Sequence, residues 1–578
     1  MVESRTVLYK EVDKFLKDFK KISNQNSYLK THQFLAKEYF FNITRRGILI
    51  YHEMGSGKSV IASSIINSYN PGKQRKVIVL TPGSLVEVIK NGVNSQNGVH
   101  YVSLNSYNAF EKLKEIDVFN SLLIVDEAHN LFTSIVNGSR NGTQIYNYLM
   151  DKKKVKIIFM TGTPIVNTSF EICPCFNMLA GKKILPESKD DFERFFLKEN
   201  NDGILMNRLY GLVSYYNKKL TEGGSKLKKN INIIRVQFSK EHLEAYREAR
   251  QNELRQKKIN KQREQIGVVS SSKASSSYNV ASRQISNAYT AKNLSPKMDR
   301  IMSILKEEKN KLHIIYSQFV RGPGLEFISD RLSQEGYSEW DGEDEKGLRY
   351  SVIVGDTPKV VRVSIMDKFN TKENKNGNII QVVLISPAGV EGLSFKNIRF
   401  IHVFEPYWNF SRIEQIIYRG DRMNSHEDLK ENERTLTTNM YITTHNENFE
   451  KKSIEEDILE MALEKRKKNK KILNVLKYIA FDCPFYNKDC YFCESKRDLP
   501  LYRNDLFKDI KEKYQPCENY KEKEAENKDE RVFEEYVIGN NFYYLDTQHN
   551  EVFFYDSISD SYIPLSEKNP IFKKIMSK

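Results

Sequence analysis

A glycine-rich segment directly behind an apolar run constrains the fold of this chain more than any other feature. The segment is Tyr51 to Ser59, YHEMGSGKS, and the run before it is Gly47-Ile48-Leu49-Ile50. Gly55 and Gly57 permit turn conformations that a Cβ would obstruct, so successive backbone N–H groups can point at one anion. The helix predicted over 60–67 adds the positive end of its dipole. The pattern predicts a buried strand, a phosphate-binding loop and a helix. The alternative is a glycine turn with an incidental lysine.

The end of this segment carries the residue types that bind nucleotide phosphates. Lys58 would reach the β- and γ-phosphates, and the Ser59 hydroxyl would contact Mg²⁺. The strict GxxxxGK[ST] pattern has glycine where this chain has His52. We therefore predict a nucleotide site made of Gly55, Ser56, Gly57, Lys58 and Ser59.

Composition excludes several classes of protein. The chain has 578 residues, too many for one core, so two to four domains are expected. Its 90 Lys and Arg residues exceed its 75 Asp and Glu residues, giving a net charge of +15. Such a surplus is typical of polyanion binding, although a basic solvated surface is the alternative. No apolar leader or 18-residue apolar run occurs, and six cysteines make no disulfide framework. We expect a soluble, intracellular protein that does not enter a membrane.

Short apolar runs alternate with helical patterns behind the loop, as in a parallel sheet covered on both faces. The runs are 77–80, 122–125 and 157–160. Because ligands bind at the carboxyl ends of parallel strands, the polar residues after each run are candidate site residues. They are Thr81-Pro82, Asp126-Glu127-Ala128-His129 and Thr161-Gly162-Thr163-Pro164.

Two adjacent carboxylates form the most informative strand end. Asp126 can hold the Mg²⁺ that Ser59 also touches, and Glu127 can orient and deprotonate an attacking water. A solvated turn is the alternative. Gln33, one helix ahead of the loop, could bind an adenine edge through its amide, or could be a surface glutamine.

A second strand–helix series begins at Ser295-Pro296, which predicts a helix start. Its apolar runs are 314–317, 352–354, 382–385 and 400–404, and Ser386 to Leu393 follows the third of them. A later helix carries Gln415, Arg419 and Arg422. Arginines three apart share one helix face, and they could stabilise charge on a transferring phosphoryl group. Surface charge is the alternative.

Together these residues resemble the superfamily 2 helicases, and within them the Swi/Snf-like group. The loop resembles the first motif, Asp126 to His129 the second, and Thr161 to Pro164 the third. The later motifs are matched by 315–319, by 388–393 with Trp408-Asn409, and by Gln415-x3-Arg419-x2-Arg422. The stretch from Glu405 to His426 is similar to the poxvirus-type nucleoside triphosphate phosphohydrolase and early transcription factor ATPases of large cytoplasmic DNA viruses.

The resemblance implies an α/β fold with two tandem RecA-like lobes, a helical insert and a C-terminal extension. Expected boundaries are an N-terminal helix at 1–24, lobe 1 at 25–238, a charged and serine-rich flexible insert at 239–294, lobe 2 at 295–447 and the extension at 448–578. ATP and Mg²⁺ would bind lobe 1, with Gln33 in the nucleotide site and Lys58, Asp126, Glu127, Gln415, Arg419 and Arg422 catalytic. Coupling to nucleic acid would involve His129, Thr161, Thr163, Thr81, Ser386, Gly389 and Gly392.

The last third of the chain gives weaker signals. Lys465 to Lys477 is a basic helical run that is either a solvated face or a nucleic-acid surface. Four cysteines follow, Cys483, Cys490, Cys493 and Cys517, and only one close pair is present where a strong zinc pattern shows two. They are either structural zinc ligands or reduced buried cysteines. Alternating aromatic residues over 531–563 predict a small antiparallel sheet.

The leading functional hypothesis is an ATP-dependent translocase or helicase on double-stranded DNA, serving viral transcription. An RNA helicase and a catalytically silent scaffold subunit are the alternatives. Expected partners are nucleic acid, DNA rather than RNA, and subunits of a viral RNA polymerase or transcription factor. The expected location is the host cytoplasm (the viral factory) or the virion.

Overall fold

The fold is taken from a computed structural model, which describes most of the chain. The ranges are 5–22, 28–53, 55–69, 75–198, 201–217, 227–265, 279–342, 347–390, 393–422, 425–446, 449–486, 490, 530–538, 541–546, 550–556, 561–567 and 569–576. The chain divides into two compact units. Unit 1 comprises 1–225 and 464–524, and unit 2 comprises 226–463 and 525–578.

The described residues of unit 1 contain six strands, which are β1 Gly47–His52, β2 Val77–Thr81, β3 Val99–Ser103, β4 Ser121–Asp126, β5 Val155–Thr161 and β6 Val213–Tyr216. Its helices before β6 are α1 Arg5–Ile22, α2 Thr31–Asn42, α3 Lys58–Tyr69, α4 Val86–Lys90, α5 Ala109–Ile116, α6 His129–Val136, α7 Arg140–Asp151, α8 Ile172–Ala180, α9 Lys189–Phe192 and α10 Asp202–Leu209.

All six strands of unit 1 form one parallel sheet, in the order β3-β2-β4-β5-β1-β6. The strands β1, β2 and β4 are buried at every position. The sheet separates two apolar clusters, one containing Leu49 and Phe159 and the other Ile50 and Ile158. The predicted parallel sheet covered on both faces is confirmed, because continuous apolar runs can be buried only when helices cover both sides.

Unit 2 contains the strands β7 Lys228–Gln237, β8 Leu312–Tyr316, β9 Ser338–Glu339, β10 Arg349–Ile353, β11 Val382–Ile385, β12 Ile398–Val403, β13 Thr435–Thr444, β14 Glu530–Ile538, β15 Asn541–Asp546, β16 Glu551–Asp556 and β17 Ser561–Pro564. Its helices are α11 Lys240–Gln265, α12 Val280–Asn287, α13 Pro296–Glu307, α14 Leu325–Gln334, α15 Lys359–Phe369, α16 Pro387–Val390 and α17 Phe410–Gly420. The chain passes from unit 2 into unit 1 within α18 Ile454–Tyr478, which α19 Cys483–Tyr486 follows, and α20 Pro570–Met576 ends unit 2.

The sheet of unit 2 has the order β17-β16-β15-β14-β7-β13-β12-β8-β11-β10-β9. It is parallel from β9 to β14, and β14 to β17 are antiparallel. A second parallel sheet confirms the two-lobed α/β fold. The predicted antiparallel aromatic module exists, and its first strand extends the parallel sheet.

The strand β7 lies at a different place from the one expected. Lobe 1 is predicted to end at residue 238, whereas β7 pairs along its whole length with β13 and lies in the sheet of unit 2. A strand joins the sheet that offers an unpaired edge, and ten residue pairs in register, Lys228↔Thr435 to Gln237↔Thr444, fix this one. In the structure the boundary lies near residue 226.

Part of the expected flexible insert is ordered. Its stretch 266–278 lies outside the described residues, but α12 follows at once, and Ser282 and Ser286 are fully buried on it. Ser282 donates to Glu253 on α11 at 2.6 Å, so hydroxyls that suggest a linker instead hold two helices together. The predicted start of α13 is confirmed, since the Ser295 hydroxyl accepts from Met298 N at 3.1 Å.

The C-terminal extension is divided between the units. The basic half of α18 packs into unit 1 through Ile472, Val475 and Leu476, and Ile479 just after the helix joins them, whereas β14 to β17 belong to unit 2. None of the helices within the described ranges is long and apolar enough to span a membrane.

Candidate functional site

The glycine-rich loop joins β1 to α3, as predicted. Gly55 and Gly57 have φ of 73° and 84°, where side chains with a Cβ are strained. A Cβ on Gly57 would lie 2.3 Å from Gln33 Nε2, so this glycine also makes room for the glutamine beside it. Met54 lies outside the described residues.

Two side chains of α2 hold the loop at Ser56. His32 Nε2 lies 2.9 Å from the Ser56 carbonyl oxygen, and Gln33 Nε2 donates to the same oxygen at 3.1 Å. Gln33 Oε1 accepts from Lys30 N at 3.0 Å. Both ends of the Gln33 amide therefore bind main chain, and its recognition of adenine stays a prediction.

Lys58 bends back onto the strand that precedes the loop. Its Nζ donates to the carbonyl oxygens of His52 at 3.1 Å and Glu53 at 3.3 Å. The residue is buried. A nucleotide phosphate would compete with these carbonyls for the ammonium group. It would bind more strongly than they do, because a charged acceptor makes a stronger hydrogen bond than a neutral one.

The two adjacent carboxylates lie at the same edge of the sheet as the loop. Asp126 ends β4, and Glu127 has a φ of 48°, rare for a residue with a side chain. The Glu127 N–H donates to Asp126 Oδ1 at 3.0 Å. Burial raises the pKa of Asp126, and the Glu127 charge raises it further, whereas the Lys58 charge lowers it. A cation at this carboxylate would relieve the cost of its buried charge.

The third predicted motif contacts the second directly. His129 Nδ1 lies 3.0 Å from Thr161 Oγ1 and 3.4 Å from Glu127 Oε2. Thr161 Oγ1 also accepts from Thr163 N at 3.0 Å. Burial lowers the pKa of His129. The structure thus brings His129, Thr161 and Thr163 together beside Glu127, as a coupling role requires.

The residues fit Mg²⁺ and a nucleotide. Mg²⁺ is usually held by one or two carboxylates together with substrate phosphates and water, and here Asp126 offers a carboxylate and the half-buried Ser59 offers a hydroxyl oxygen. No group of three or more His, Cys, Asp or Glu side chains suited to a metal exists within the described residues, so an all-protein cage is not offered there. The Ser56 hydroxyl, within the loop, is buried and has no hydrogen-bond partner among the described residues, so it is available to donate to a phosphate oxygen.

Glu171 supports the site, although no sequence motif predicts it. It is fully buried, and it accepts from Val166 N at 2.6 Å, Asn167 N at 3.2 Å and Thr133 Oγ1 at 3.0 Å. Its carboxylate ties α6, which begins at His129, to the loop behind Thr163. The only sequence signal is an acidic residue just before the apolar run of α8.

The arginines of unit 2 converge on one oxygen. Arg419 Nη1 donates to the Leu393 carbonyl oxygen at 3.5 Å, and Arg422 Nη2 donates to it at 2.9 Å. The prediction that both lie on one helix is wrong. The helix α17 ends at Gly420, where a Cβ would lie 2.2 Å from Ile398 Cδ1, and Arg422 follows that end. Gln415 is half-buried on α17.

The residues predicted to contact nucleic acid differ in their placement. Thr81 is fully buried and Ser386 nearly so, so a phosphodiester would reach them only if they became exposed. The Ser386 hydroxyl accepts from Gly389 N at 3.2 Å, and a Cβ on Gly389 would meet the Ile353 carbonyl oxygen at 2.1 Å. Gly392 lies outside the described residues. These roles stay predictions.

The predicted zinc site is not supported. Cys483 and Cys490 form a disulfide, with Cα atoms 5.8 Å apart, so neither sulfur is a thiolate ligand. This pairing also differs from the expected reduced state. Cys493 and Cys517 lie outside the described residues.

Two family profiles match the chain. The one described as "Schlafen group 3, DNA/RNA helicase domain" matches residues 45–299, and "Helicase conserved C-terminal domain" matches residues 296–424. The first contains the loop and the carboxylate pair, and the second contains Arg419 and Arg422.

Viral proteins are similar over most of the chain. A "Termination factor NPH-I homolog" of African swine fever virus is 28% identical over 95% of this chain and 93% of its own length. A protein of Acanthamoeba polyphaga mimivirus, named as an ATP-dependent RNA helicase, is 26% identical over 79% of this chain and 90% of its own. A Sulfolobus solfataricus SWI2/SNF2 ATPase core, solved with double-stranded DNA, aligns over 81% of this chain and 98% of that chain at 16% identity, with a TM-score of 0.30. That score is too low to support an argument, and the fold rests on the two parallel sheets.

Proposed function

We propose that the chain is an ATP-hydrolysing superfamily 2 helicase of the NPH-I type and that it moves along double-stranded DNA during viral transcription. The observation that carries the proposal is the meeting of the loop, Asp126-Glu127 and the His129–Thr161 contact at one edge of the sheet of unit 1. The African swine fever virus relative is named as a termination factor, and we extend that role to this chain.

In this proposal Lys58 leaves the carbonyls of His52 and Glu53 and binds the β- and γ-phosphates of ATP. Ser59 and Asp126 would hold Mg²⁺, which supplies charge neutralisation at the phosphates when bound. Glu127 orients the attacking water and takes its proton. Because the Glu127 N–H is bound to Asp126, the two carboxylates keep a fixed relation to each other.

Arg419 and Arg422 are proposed to stabilise the charge that develops on the γ-phosphoryl group, and Gln415 to contact the same site. The two guanidinium groups share the Leu393 carbonyl as an acceptor, which they would exchange for phosphate oxygens. His129, Thr161 and Thr163 would transmit the state of the nucleotide to the nucleic acid. The proposed partners are DNA and subunits of the viral transcription machinery, in the host cytoplasm or the virion.

The test is steady-state ATP hydrolysis by the full chain, alone and with duplex DNA, single-stranded DNA or RNA at equal phosphate concentration. The proposal expects strong stimulation by duplex DNA, with affinity that falls as salt rises. Stimulation that is lost in Arg422→Ala, while ATP still binds, would support the proposed role of that arginine. Absence of hydrolysis under every condition would contradict the proposal.

An RNA helicase is the second candidate, because the mimivirus relative carries that name. The same assay separates the two candidates. Stimulation by RNA and by neither form of DNA would replace the leading proposal with this one.

A further inference from the structure

A short segment of unit 1 packs against β6, the strand beside β1. It comprises Phe481 to Tyr486 and follows α18. Phe481 N donates to the Val213 carbonyl oxygen of the edge strand β6 at 3.0 Å, and its ring stacks on Tyr39 with centroids 3.5 Å apart. These contacts fix the segment beside β6, which is hydrogen bonded to β1.

One series of contacts runs from this segment to His52, the last residue of β1 before the loop. Asp482 Oδ2 accepts from Ser214 Oγ at 2.5 Å, and its Oδ1 accepts from Tyr215 N at 2.9 Å. Ser214 Oγ lies 2.8 Å from His52 Nε2. All three side chains, Asp482, Ser214 and His52, are fully buried. Above its pKa of about 7 the Asp482 carboxylate is ionised and only accepts, so Ser214 then donates to Asp482 and must accept from a protonated Nε2 of His52. The carboxylate thereby fixes both the orientation and the tautomer of the imidazole.

A second chain of contacts reaches the middle of the loop. The ring of Tyr486 meets the edge of Tyr216 at 5.6 Å and 71°, and Tyr216 stacks on His32 with centroids 3.5 Å apart. His32 Nε2 then lies against the Ser56 carbonyl oxygen. His52, where β1 ends, and Ser56, in the middle of the loop, are therefore both connected to this segment through side-chain contacts.

We propose that Phe481 to Tyr486 form a brace that positions the phosphate loop for ATP, with Asp482 as its central positioning residue. The inference rests on the proposed function and deepens it, since it makes the segment after α18 part of the nucleotide site. His52 occupies the position where the strict loop pattern has glycine, and its carbonyl oxygen accepts from Lys58 Nζ. Because the imidazole of His52 is anchored at Ser214, it restrains the His52 main chain, and a shift of that main chain would displace the lysine that binds the phosphates.

The chemistry of the contacts favours positioning over packing. A buried carboxylate costs more than an apolar side chain of equal size, and its hydrogen bonds here go only to the strand that carries Ser214 and to the segment itself. Nearby charged and titratable groups are Lys58 and His32 around His52, and Tyr215 and Tyr486 around Asp482.

The test compares ATP binding and hydrolysis in matched variants of the full chain at pH 8.5. Asp482→Asn keeps the shape but places an N–H₂ group opposite Ser214, which reverses the hydrogen bonds to His52. Ser214→Ala removes the hydroxyl that links Asp482 to His52. Ser121→Ala is its control, because Ser121 is also buried at one end of a strand and donates only to the Val118 carbonyl oxygen in the contacts described. Tyr486→Ala removes the ring contact with Tyr216. Tyr486→Phe keeps that ring but deletes the hydroxyl, which has no hydrogen-bond partner among the described residues.

The brace predicts that Asp482→Asn, Ser214→Ala and Tyr486→Ala each raise KM and the ATP dissociation constant about tenfold, with kcat changed less than about threefold. Ser121→Ala and Tyr486→Phe should behave as wild type. A loss of kcat in proportion to the unfolded fraction, with KM unchanged, would show a merely structural role and overturn the brace. The brace would also be overturned if Asp482→Asn, Ser214→Ala and Tyr486→Ala bound and hydrolysed ATP as the control variants do. If the wild-type protein neither bound nor hydrolysed ATP, that result would contradict both the proposed function and the brace.

Discussion

Lys58 Nζ lies 3.1 Å from the carbonyl oxygen of His52, the residue at the end of the strand that leads into the loop. The lysine is thus held in the loop by a neutral acceptor that an anionic phosphate outcompetes.

Replacement of this lysine should abolish hydrolysis. Lys58→Ala removes the positive charge assigned to the β- and γ-phosphates, and steady-state turnover should fall by at least about 10²-fold. Lys76→Ala is the matched control, because Lys76 Nζ also donates to two main-chain carbonyls, of Ile116 and Asp117, away from the loop. Turnover retained in Lys58→Ala would remove the loop from the site.

Loss of the proposed general base should separate binding from chemistry. Glu127→Gln keeps the size of the side chain but cannot take a proton, so hydrolysis should fall by about 10²- to 10⁴-fold. ATP affinity, measured by equilibrium titration, should change little. Glu187→Gln is the control, since Glu187 binds Tyr146 and Lys183 far along the chain from this site. An equal loss of affinity in Glu127→Gln would refute the assigned role.

The buried carboxylate of Glu171 should matter for stability. Glu171→Ala leaves the Val166 and Asn167 N–H groups and the Thr133 hydroxyl without their acceptor, at about 1–3 kcal/mol for each group that stays buried. The melting temperature should fall clearly. Glu193→Ala, which removes a half-exposed partner of Lys189, should change it little. Equal melting temperatures for the two variants would show that the loop after Thr163 does not depend on Glu171.

Stability should depend on pH through Asp482. Burial raises the pKa of Asp482 from 3.8 to about 7 in the folded protein. The folded state therefore binds the proton more tightly than the unfolded state, so the contribution of this group is greatest below pH 4 and is lost as the pH rises through 7. The full loss is on the order of 4 kcal/mol. Melting curves should show the wild type losing stability relative to Asp482→Asn as the pH rises from about 4 to about 7, and a difference independent of pH would contradict this assignment.

The cysteine pairing is open to a direct test. Peptide mapping without reductant should recover Cys483 linked to Cys490, and Cys173 and Cys175 as free thiols, because both are buried in unit 1. Burial raises the pKa of both thiols, which slows their alkylation in the folded state. A Cys483 peptide recovered with a free thiol would contradict the pairing.

Much of the fold was predictable because its signals are local. The apolar runs of β2, β4, β5 and β11 mark buried strands, and the glycines of the loop mark a turn that needs positive φ. The loop and Asp126-Glu127 were identified because their chemistry is carried by short contiguous segments. The structure places both at one edge of the sheet.

Other features depend on contacts between distant residues and leave little trace in the sequence. The strand β7 pairs with β13 about 200 residues later, so its sheet could not be read from its own alternation. Asp482 reaches Ser214 across 268 residues, and an isolated aspartate within an apolar stretch gives no sign of its partner. The three-residue spacing of Arg419 and Arg422 predicts that both lie on one helix. The helix ends at Gly420, which packs closely on Ile398, so Arg422 lies beyond it.

Hydrolysis is proposed to drive movement along duplex DNA, and displacement of a third strand from a DNA triplex measures that movement. We expect the wild-type chain to release the third strand only with ATP and Mg²⁺, and Lys58→Ala and Arg422→Ala to release none. A wild-type chain that hydrolyses ATP on duplex DNA yet leaves the triplex intact would contradict the claim.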